Sequence, residues 1–155
     1  MRRKQEPFWK TKSLHEMTDK EWESLCCRCG MCCLHRLRTK TTGKINFTSV
    51  ACKYLDTETC CCTIYEDRFR IERECEKITP DTVLKFWWLP KTCGYRTIAE
   101  GRDLEPWHPL VSGNRVTVHK AGISIRSEAI VSEEDIVAGD LLKYIILNPR
   151  LIASK

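Results

Sequence analysis

Ten of the eleven cysteines in this 155-residue chain lie between Cys26 and Cys75, and the run opens Cys26-Cys27-Arg28-Cys29-Gly30-Met31-Cys32-Cys33. A thiolate is a soft, strong ligand for zinc, for iron and for iron–sulfur clusters. The two-residue gap in Cys26-x-x-Cys29 lets both sulfurs face one ion across a tight turn, and Cys29-x-x-Cys32 repeats it. Gly30 suits the strained backbone of such a knuckle. The doublet Cys32-Cys33 adds a constraint. Neighbouring side chains diverge by about 180° on a strand and about 100° on a helix. The pair is therefore expected to serve two metals, or one metal and the packing. Cys52, Cys60, Cys62 and Cys75 are further ligand candidates, and Cys93 stands apart from the run.

Other uses of these residues carry less weight. An odd cysteine count leaves one thiol over in any disulfide framework. The basic start, Met1-Arg2-Arg3-Lys4, leads into no apolar stretch, so no signal peptide is expected. The longest apolar patch, Tyr144-Ile145-Ile146-Leu147, is far too short to span a bilayer. The chain is expected in the cytoplasm, where thiols stay reduced, with no membrane partner. Free cysteine also packs as a small hydrophobe, and Cys93 is balanced between core thiol and ligand. His15, His35, His108 and His119 are each surface or hydrogen-bonded residues first and nitrogen ligands second, His35 being the best placed after Cys33. Phe86-Trp87-Trp88-Leu89 reads as a cover for the cluster or core. Arg36, Arg38, Lys40 and Lys44 form a basic run that reads as counter-charge for thiolates. The formal charge is +5 with neutral thiols. Eight thiolates around two divalent ions would change it by about −4. No nucleotide loop, serine elbow or His-Glu-x-x-His pattern is present, so no catalytic residue is assigned.

The elements that must position the thiols are short. Thr18 and Glu21 have capping-box spacing, which predicts a helix over Asp19 to Leu25 that delivers the chain to Cys26. From there to about residue 75 the chain is poor in regular structure, with a short strand at Ile45 to Thr48. Few large aliphatics lie in this segment, so metal is expected to supply its cross-links. Thr79-Pro80 starts a helix to Phe86, and Thr92 to Glu100 forms another that stops at Gly101. Arg115 to His119 and Gly122 to Arg126 alternate like the two strands of a hairpin. Ser132 and Asp135 then cap a final helix or helix pair reaching Leu147, ended by Asn148-Pro149.

The spacing Cys26, Cys29, Cys32, Cys33 resembles that of the bacterial cysteine-cluster proteins described as zinc- or iron-chelating, and most closely their YcgN group. The likeness takes in Pro7-Phe8-Trp9, Glu21-Trp22-Glu23-Ser24-Leu25-Cys26, Val50-Ala51-Cys52, Thr59-Cys60 with Cys62, Trp88-Leu89-Pro90, Thr92-Cys93 with Tyr95-Arg96, Ala99-Glu100-Gly101 and Trp107-His108-Pro109-Leu110. The resemblance implies a cysteine-rich metal site and no known reaction. It places the family's cysteines on Cys26, Cys29, Cys32, Cys33, Cys52, Cys60, Cys62, Cys75 and Cys93. Cys27 and Cys61 are departures from the pattern. Shorter relatives carry Cys-x-Ile-Tyr-x-x-Arg-Pro-x-x-Cys. Here Cys62, Ile64, Tyr65 and Arg68 match, Phe69 replaces the proline, and Glu72 stands where the last cysteine is expected, with Cys75 three residues on.

The combined reading is one small α+β domain over residues 1–155. It has a loop-rich, metal-linked cysteine cluster (about residues 26–93), short helices, and a C-terminal hairpin plus helix. It is read as a cysteine-thiolate protein binding zinc or iron, the iron single or in a cluster. An iron–sulfur enzyme or electron carrier is the alternative. A zinc-dependent nucleic-acid module would rest only on the basic run.

Overall fold

Pro7, with its fixed φ, precedes α1 (Phe8–Thr11), and a Ser13/Glu16 capping box opens a 3₁₀ turn over Leu14–Glu16. The computed structural model describes residues 5–148 and residue 151. Helix α2 (Asp19–Ser24) carries the expected capping box: the Glu21 N–H donates to Thr18 Oγ1 at 3.2 Å, and the Thr18 N–H to Glu21 Oε2 at 2.8 Å. The helix buries Trp22 and the residue after it, Leu25, which is fully enclosed.

A 3₁₀ turn at Met31–Cys33 leads into β1 (Leu34–Arg38), which pairs antiparallel with β2 (Ile45–Ala51). The register slips between Leu34 and Arg36, where three β2 residues, Thr48 to Val50, face His35 alone. The predicted strand at Ile45 is present and three residues longer than expected. Two-residue strands β3 (Leu55–Asp56) and β4 (Cys61–Cys62) pair antiparallel. Helix α3 (Arg68–Ile71) follows, then a 3₁₀ turn at Val83–Lys85 and α4 (Gly94–Ala99). The helix expected from Thr79 to Phe86 is only that turn, because the Thr79 N–H and hydroxyl both bond the Thr82 hydroxyl and draw the segment into a side-chain-bonded turn. Helix α4 stops as expected, with Gly101 left-handed at φ 72°.

The C-terminal half departs most from expectation. No hairpin forms. Val116 to Ala121 is built around α6 (Thr117–Lys120), after α5 (Pro109–Ser112), and Ile125–Ser127 is a 3₁₀ turn. The Asn114 side chain accepts the Val116 N–H at 2.9 Å, and the Thr117 hydroxyl donates to the Trp107 carbonyl at 2.6 Å. These local bonds close a helical turn where alternation suggested a strand. Strand β5 (Val131–Ser132) pairs parallel with β2, giving a three-stranded sheet in the order β1-β2-β5. Ser132 caps a 3₁₀ turn at Glu133–Asp135, and a second covers Ala138–Tyr144, in place of the final α-helix. Pro149 lies outside the described residues.

Two apolar clusters result. One gathers Met31, Leu34, Phe47, Leu55, Val118 and Ile125 with Cys27, Cys29 and Cys60. The other gathers Trp22, Leu25, Val83, Leu89, Tyr95 and Leu104 with Cys93. Trp88 packs against both. The cysteine-rich segment therefore does own buried apolar residues, contrary to expectation. Its aliphatics are few, but partners supplied from after residue 117 complete the cluster.

Candidate metal centre

All eleven cysteines are free thiols. Helix α2 ends by presenting Cys26, whose N–H closes onto the Glu23 carbonyl at 3.2 Å. The knuckle that follows has two left-handed residues, Arg28 at φ 56° and Gly30 at φ 79°. Gly30 is needed twice over, since a Cβ there would stand 2.8 Å from the Ile125 Cδ1. The Cys29 carbonyl accepts the Ile125 N–H at 2.9 Å, pinning the knuckle to the C-terminal half.

Cys93 reaches this knuckle from the far side of the chain. It is the residue before α4, and the next residue, Gly94, lies flat against the Leu25 backbone. The buried His108 locks the same contact: its Nε2–H donates to the Leu25 carbonyl at 3.0 Å, and its Nδ1 accepts the Leu110 N–H at 3.1 Å. Both ring nitrogens are occupied, so His108 is a brace and not a ligand. His119 bonds Ser124 at 2.8 Å and His15 bonds Asp81 at 2.8 Å.

A second group of thiols is gathered by different means. The Cys52 N–H donates to the Cys33 carbonyl at 2.9 Å. The β3–β4 pair sets Cys62 opposite Leu55 and so returns it toward Cys52. A turn closed by the Cys75 N–H on the Glu72 carbonyl, at 3.2 Å, presents Cys75.

The electrostatics show which thiols act on one another. Burial raises the Cys26 pKa, and Cys32, Cys29 and Cys93 add to the rise. A hydrogen bond with Cys27, burial and nearby Cys32 lift Cys29 well above an ordinary thiol. Burial pushes Cys93 up to about 12, with Cys29 and Cys32 as its thiol neighbours. In the other group, burial raises Cys52, with Glu133, Glu72 and Cys62 acting on it. Burial also raises Cys75, which feels Cys32, Cys62 and Cys52. The doublet spans the border. A hydrogen bond between Cys32 and Cys33 lowers Cys32 to about 7, helped by Arg36 and Arg68, and the same bond raises Cys33, whose other thiol neighbours are Cys52 and Cys62.

Backbone amides near the sulfurs work against burial and favour the thiolate: that of Arg28 at Cys26, Met31 at Cys29, Tyr54 at Cys52, and Arg96 and Tyr95 at Cys93. The first three come from the residue two positions on, which is what a tight turn around a ligated sulfur provides. The sulfurs are soft donors of the kind that zinc and iron take, but among the described residues the group of three donor atoms that lie within 4.8 Å of one another is Cys52 with Glu72 and Glu133, not three thiols.

Cys60 lies on the Cys29 side, in the same buried cluster as Cys27 and Cys29. Burial pushes it to about 11, its thiol neighbours are Cys29 and Cys61, and its S–H faces the Thr57 carbonyl at 4.0 Å. Cys61 likewise donates to the Thr59 carbonyl at 3.4 Å and receives Arg28 at 3.6 Å. Arg36, from the basic run, is turned inward: it stacks on Trp88 at 3.5 Å, pairs with Glu76 at 3.2 Å and donates to the Cys32 carbonyl at 3.3 Å. Two acids escaped the sequence reading. Ligand atoms of Glu72 and Glu133 lie with Cys52 Sγ all within 4.8 Å of one another. Only Glu72, standing where a cysteine was expected, carried any signal.

The family described as "Putative zinc- or iron-chelating domain", CxxCxxCC, matches residues 25–94, which hold all eleven cysteines. A UPF0260 protein of Granulibacter bethesdensis is 52% identical over 143 residues, covering 92% of this chain and 84% of that one. One from Rhizobium etli is 54% identical over 149 residues (96% and 94%), and one from Marinobacter nauticus 49% over 140 (90% and 94%). The chain belongs to the UPF0260 family. No solved structure matches it. Among the described residues of this UPF0260 protein, no helix is long and apolar enough to cross a membrane. The thiols are those of a metal-chelating cysteine domain.

Proposed function

We propose that this UPF0260 protein holds zinc or iron in two thiolate sets that meet at the Cys32-Cys33 doublet. The first is Cys26, Cys29, Cys32 and Cys93. The second is Cys33, Cys52, Cys62 and Cys75. Cys60, Cys27 and Cys61 are left out. What supports this reading is the company each thiol of the doublet keeps: Cys32 acts on Cys26, Cys29 and Cys93, and Cys33 is acted on by Cys52 and Cys62, while Cys75 feels Cys32 as well as Cys62 and Cys52. Each set has four sulfurs, the number that both structural zinc and thiolate-held iron take. Zinc would cross-link the fold, whereas iron would supply redox chemistry. The chain's own residues bring the thiols together, supply N–H donors to the sulfurs, and offset their charge with Arg36 and Arg68. Metal binding without catalysis is the role this supports, and a reducing cytoplasm is the compartment it requires.

Purification without oxygen, followed by metal analysis and a visible spectrum, tests the reading. About two ions per chain, or one polynuclear cluster, is expected. A brown protein assigns iron and a colourless one zinc. A fully loaded protein with one mononuclear ion overturns the two-set arrangement.

A further inference from the structure

The parallel pairing of β5 with β2 has a chemical result. Ala51 stands opposite Ser132, so the next residues on each strand, Cys52 and Glu133, leave the sheet side by side. The Lys53 N–H holds Glu133 Oε1 at 3.0 Å, and His35 holds Oε2 at 2.6 Å. From the other side, α3 ends at Glu72, whose Oε1 accepts the Glu74 N–H at 3.1 Å. The three donor atoms then fall within 4.8 Å of one another. Tetrahedral bonds of about 2.0–2.3 Å hold donor atoms about 3.3–3.8 Å apart, so a small closing movement brings the three onto one ion.

We infer that Cys52, Glu72 and Glu133 form a mixed thiolate–carboxylate site for a divalent cation of borderline hardness, such as Fe²⁺ or Co²⁺. It is chemically distinct from the all-sulfur first set. The inference deepens the two-set reading, because it places oxygen donors beside Cys52 of the second set.

Several features go beyond a chance gathering of acids. The donors come from three separate segments, and all three residues are partly buried. A carboxylate oxygen has two lone pairs, so one hydrogen bond on each Glu133 oxygen orients it and leaves capacity for an ion. Burial works against the Glu133 charge, but the Lys53 N–H and His35 outweigh it and keep the carboxylate ionised. The mixed set also has its own preference: carboxylates suit harder ions and thiolate softer ones, so iron(II) and cobalt(II) match better than copper(I) or magnesium. On binding, Cys52 gives up its S–H proton to solvent and forms the metal–sulfur bond, with no change of oxidation state.

The test uses the full chain, reduced and metal-free, titrated with Co²⁺ and followed by sulfur-to-cobalt absorption and bound-metal analysis. Wild type is compared with Glu72→Gln, Glu133→Gln and Cys26→Ser. Among the described residues the Glu72 carboxylate bonds the local Glu74 N–H, which an amide oxygen can also accept, so the amide variant keeps the fold, as circular dichroism checks. Each glutamine variant is expected to weaken one class of Co²⁺ site at least about tenfold and to leave the Cys26-dependent absorption unchanged. Co²⁺ binding by both glutamine variants with wild-type affinity and stoichiometry overturns the mixed site and leaves the two-set reading standing. Undiminished metal in Cys26→Ser overturns the first set and leaves the mixed site standing.

Discussion

The carbonyl oxygen of Leu25 stands 1.9 Å from the point where a Cβ on Gly94 would lie. Two backbones in such contact tie the residue before Cys26 to the residue after Cys93. His108 adds a hydrogen bond to the same carbonyl. Membership of Cys93 in the first thiol set therefore depends on a missing side chain.

Gly94→Ala is expected to separate these backbones, since neither is a flexible side-chain tip that can swing aside. The cost should be about 3 kcal/mol, the upper end for overpacking. Metal bound by the first set should fall with it, while metal at Cys52 persists. Chemical denaturation and metal analysis check both halves. An alanine variant of full stability and full loading contradicts the contact.

His108 is buried, and burial lowers its pKa below the ordinary value. The neutral ring is what both of its bonds require. The sign follows from that shift. Above the unfolded pKa of about 6.5, folded and unfolded chains hold this imidazole alike; below it the unfolded chain takes up a proton first, so stability falls with falling pH until the folded pKa is passed. His119, lowered by burial and then Arg126, contributes with the same sign. His108→Gln should flatten part of the decline in urea midpoint between about pH 7 and pH 5, although its stability at pH 7 is lower. Parallel pH curves for variant and wild type would remove His108 as a source.

Serine at Cys32 and at Cys33 should give unlike defects. A hydroxyl is a poor, hard substitute for a thiolate. Cys32→Ser is expected to lose metal that also depends on Cys26, Cys29 and Cys93, and Cys33→Ser to lose metal that depends on Cys52, Cys62 and Cys75. Cys27→Ser should keep its metal and cost ~1–2 kcal/mol through a buried hydroxyl, and Cys61→Ser should do little. Pairwise metal analysis of double variants separates the sets. Loss of metal in Cys27→Ser with none in Cys29→Ser would reverse the assignment.

A strong chelator in reducing buffer should loosen residues 52–75 first. That stretch has only the two-residue strands β3 and β4 and the short α3, so little besides ligation holds it. The β1–β2 ladder, packed on Phe47 and Val118, should outlast it. Limited trypsin digestion reads the difference at Arg68, Arg70 and Arg73. Cleavage there that is unaffected by verified metal removal refutes the claim.

Much of the local structure was legible in the residues. The Thr18/Glu21 box specifies α2, Gly30 and Gly101 mark left-handed turns, and repeated two-residue cysteine gaps specify metal chemistry, because each depends on contacts within a few positions. Divergence of adjacent side chains predicts that Cys32 and Cys33 part, whereas the two thiols hydrogen-bond each other. The Val116–Ile125 hairpin was misread because alternation reports which faces are apolar, not which local hydrogen bonds win. Asn114 and Thr117 close a helical turn there, and Val118, Ile123 and Ile125 enter the core while Val116 is half exposed.

Tertiary structure decided which distant segments meet. The residue before Cys26 and the residue after Cys93 touch through the Gly94–Leu25 contact, 69 positions apart along the chain. Glu133 joins Cys52 through the parallel pairing of β5 with β2. Neither juxtaposition leaves a periodicity or spacing to read, because each is made by the packing of segments distant in the chain. Residue type told which chemistry the chain carries, and only the fold set the donors side by side, since ligation depends on distances in space.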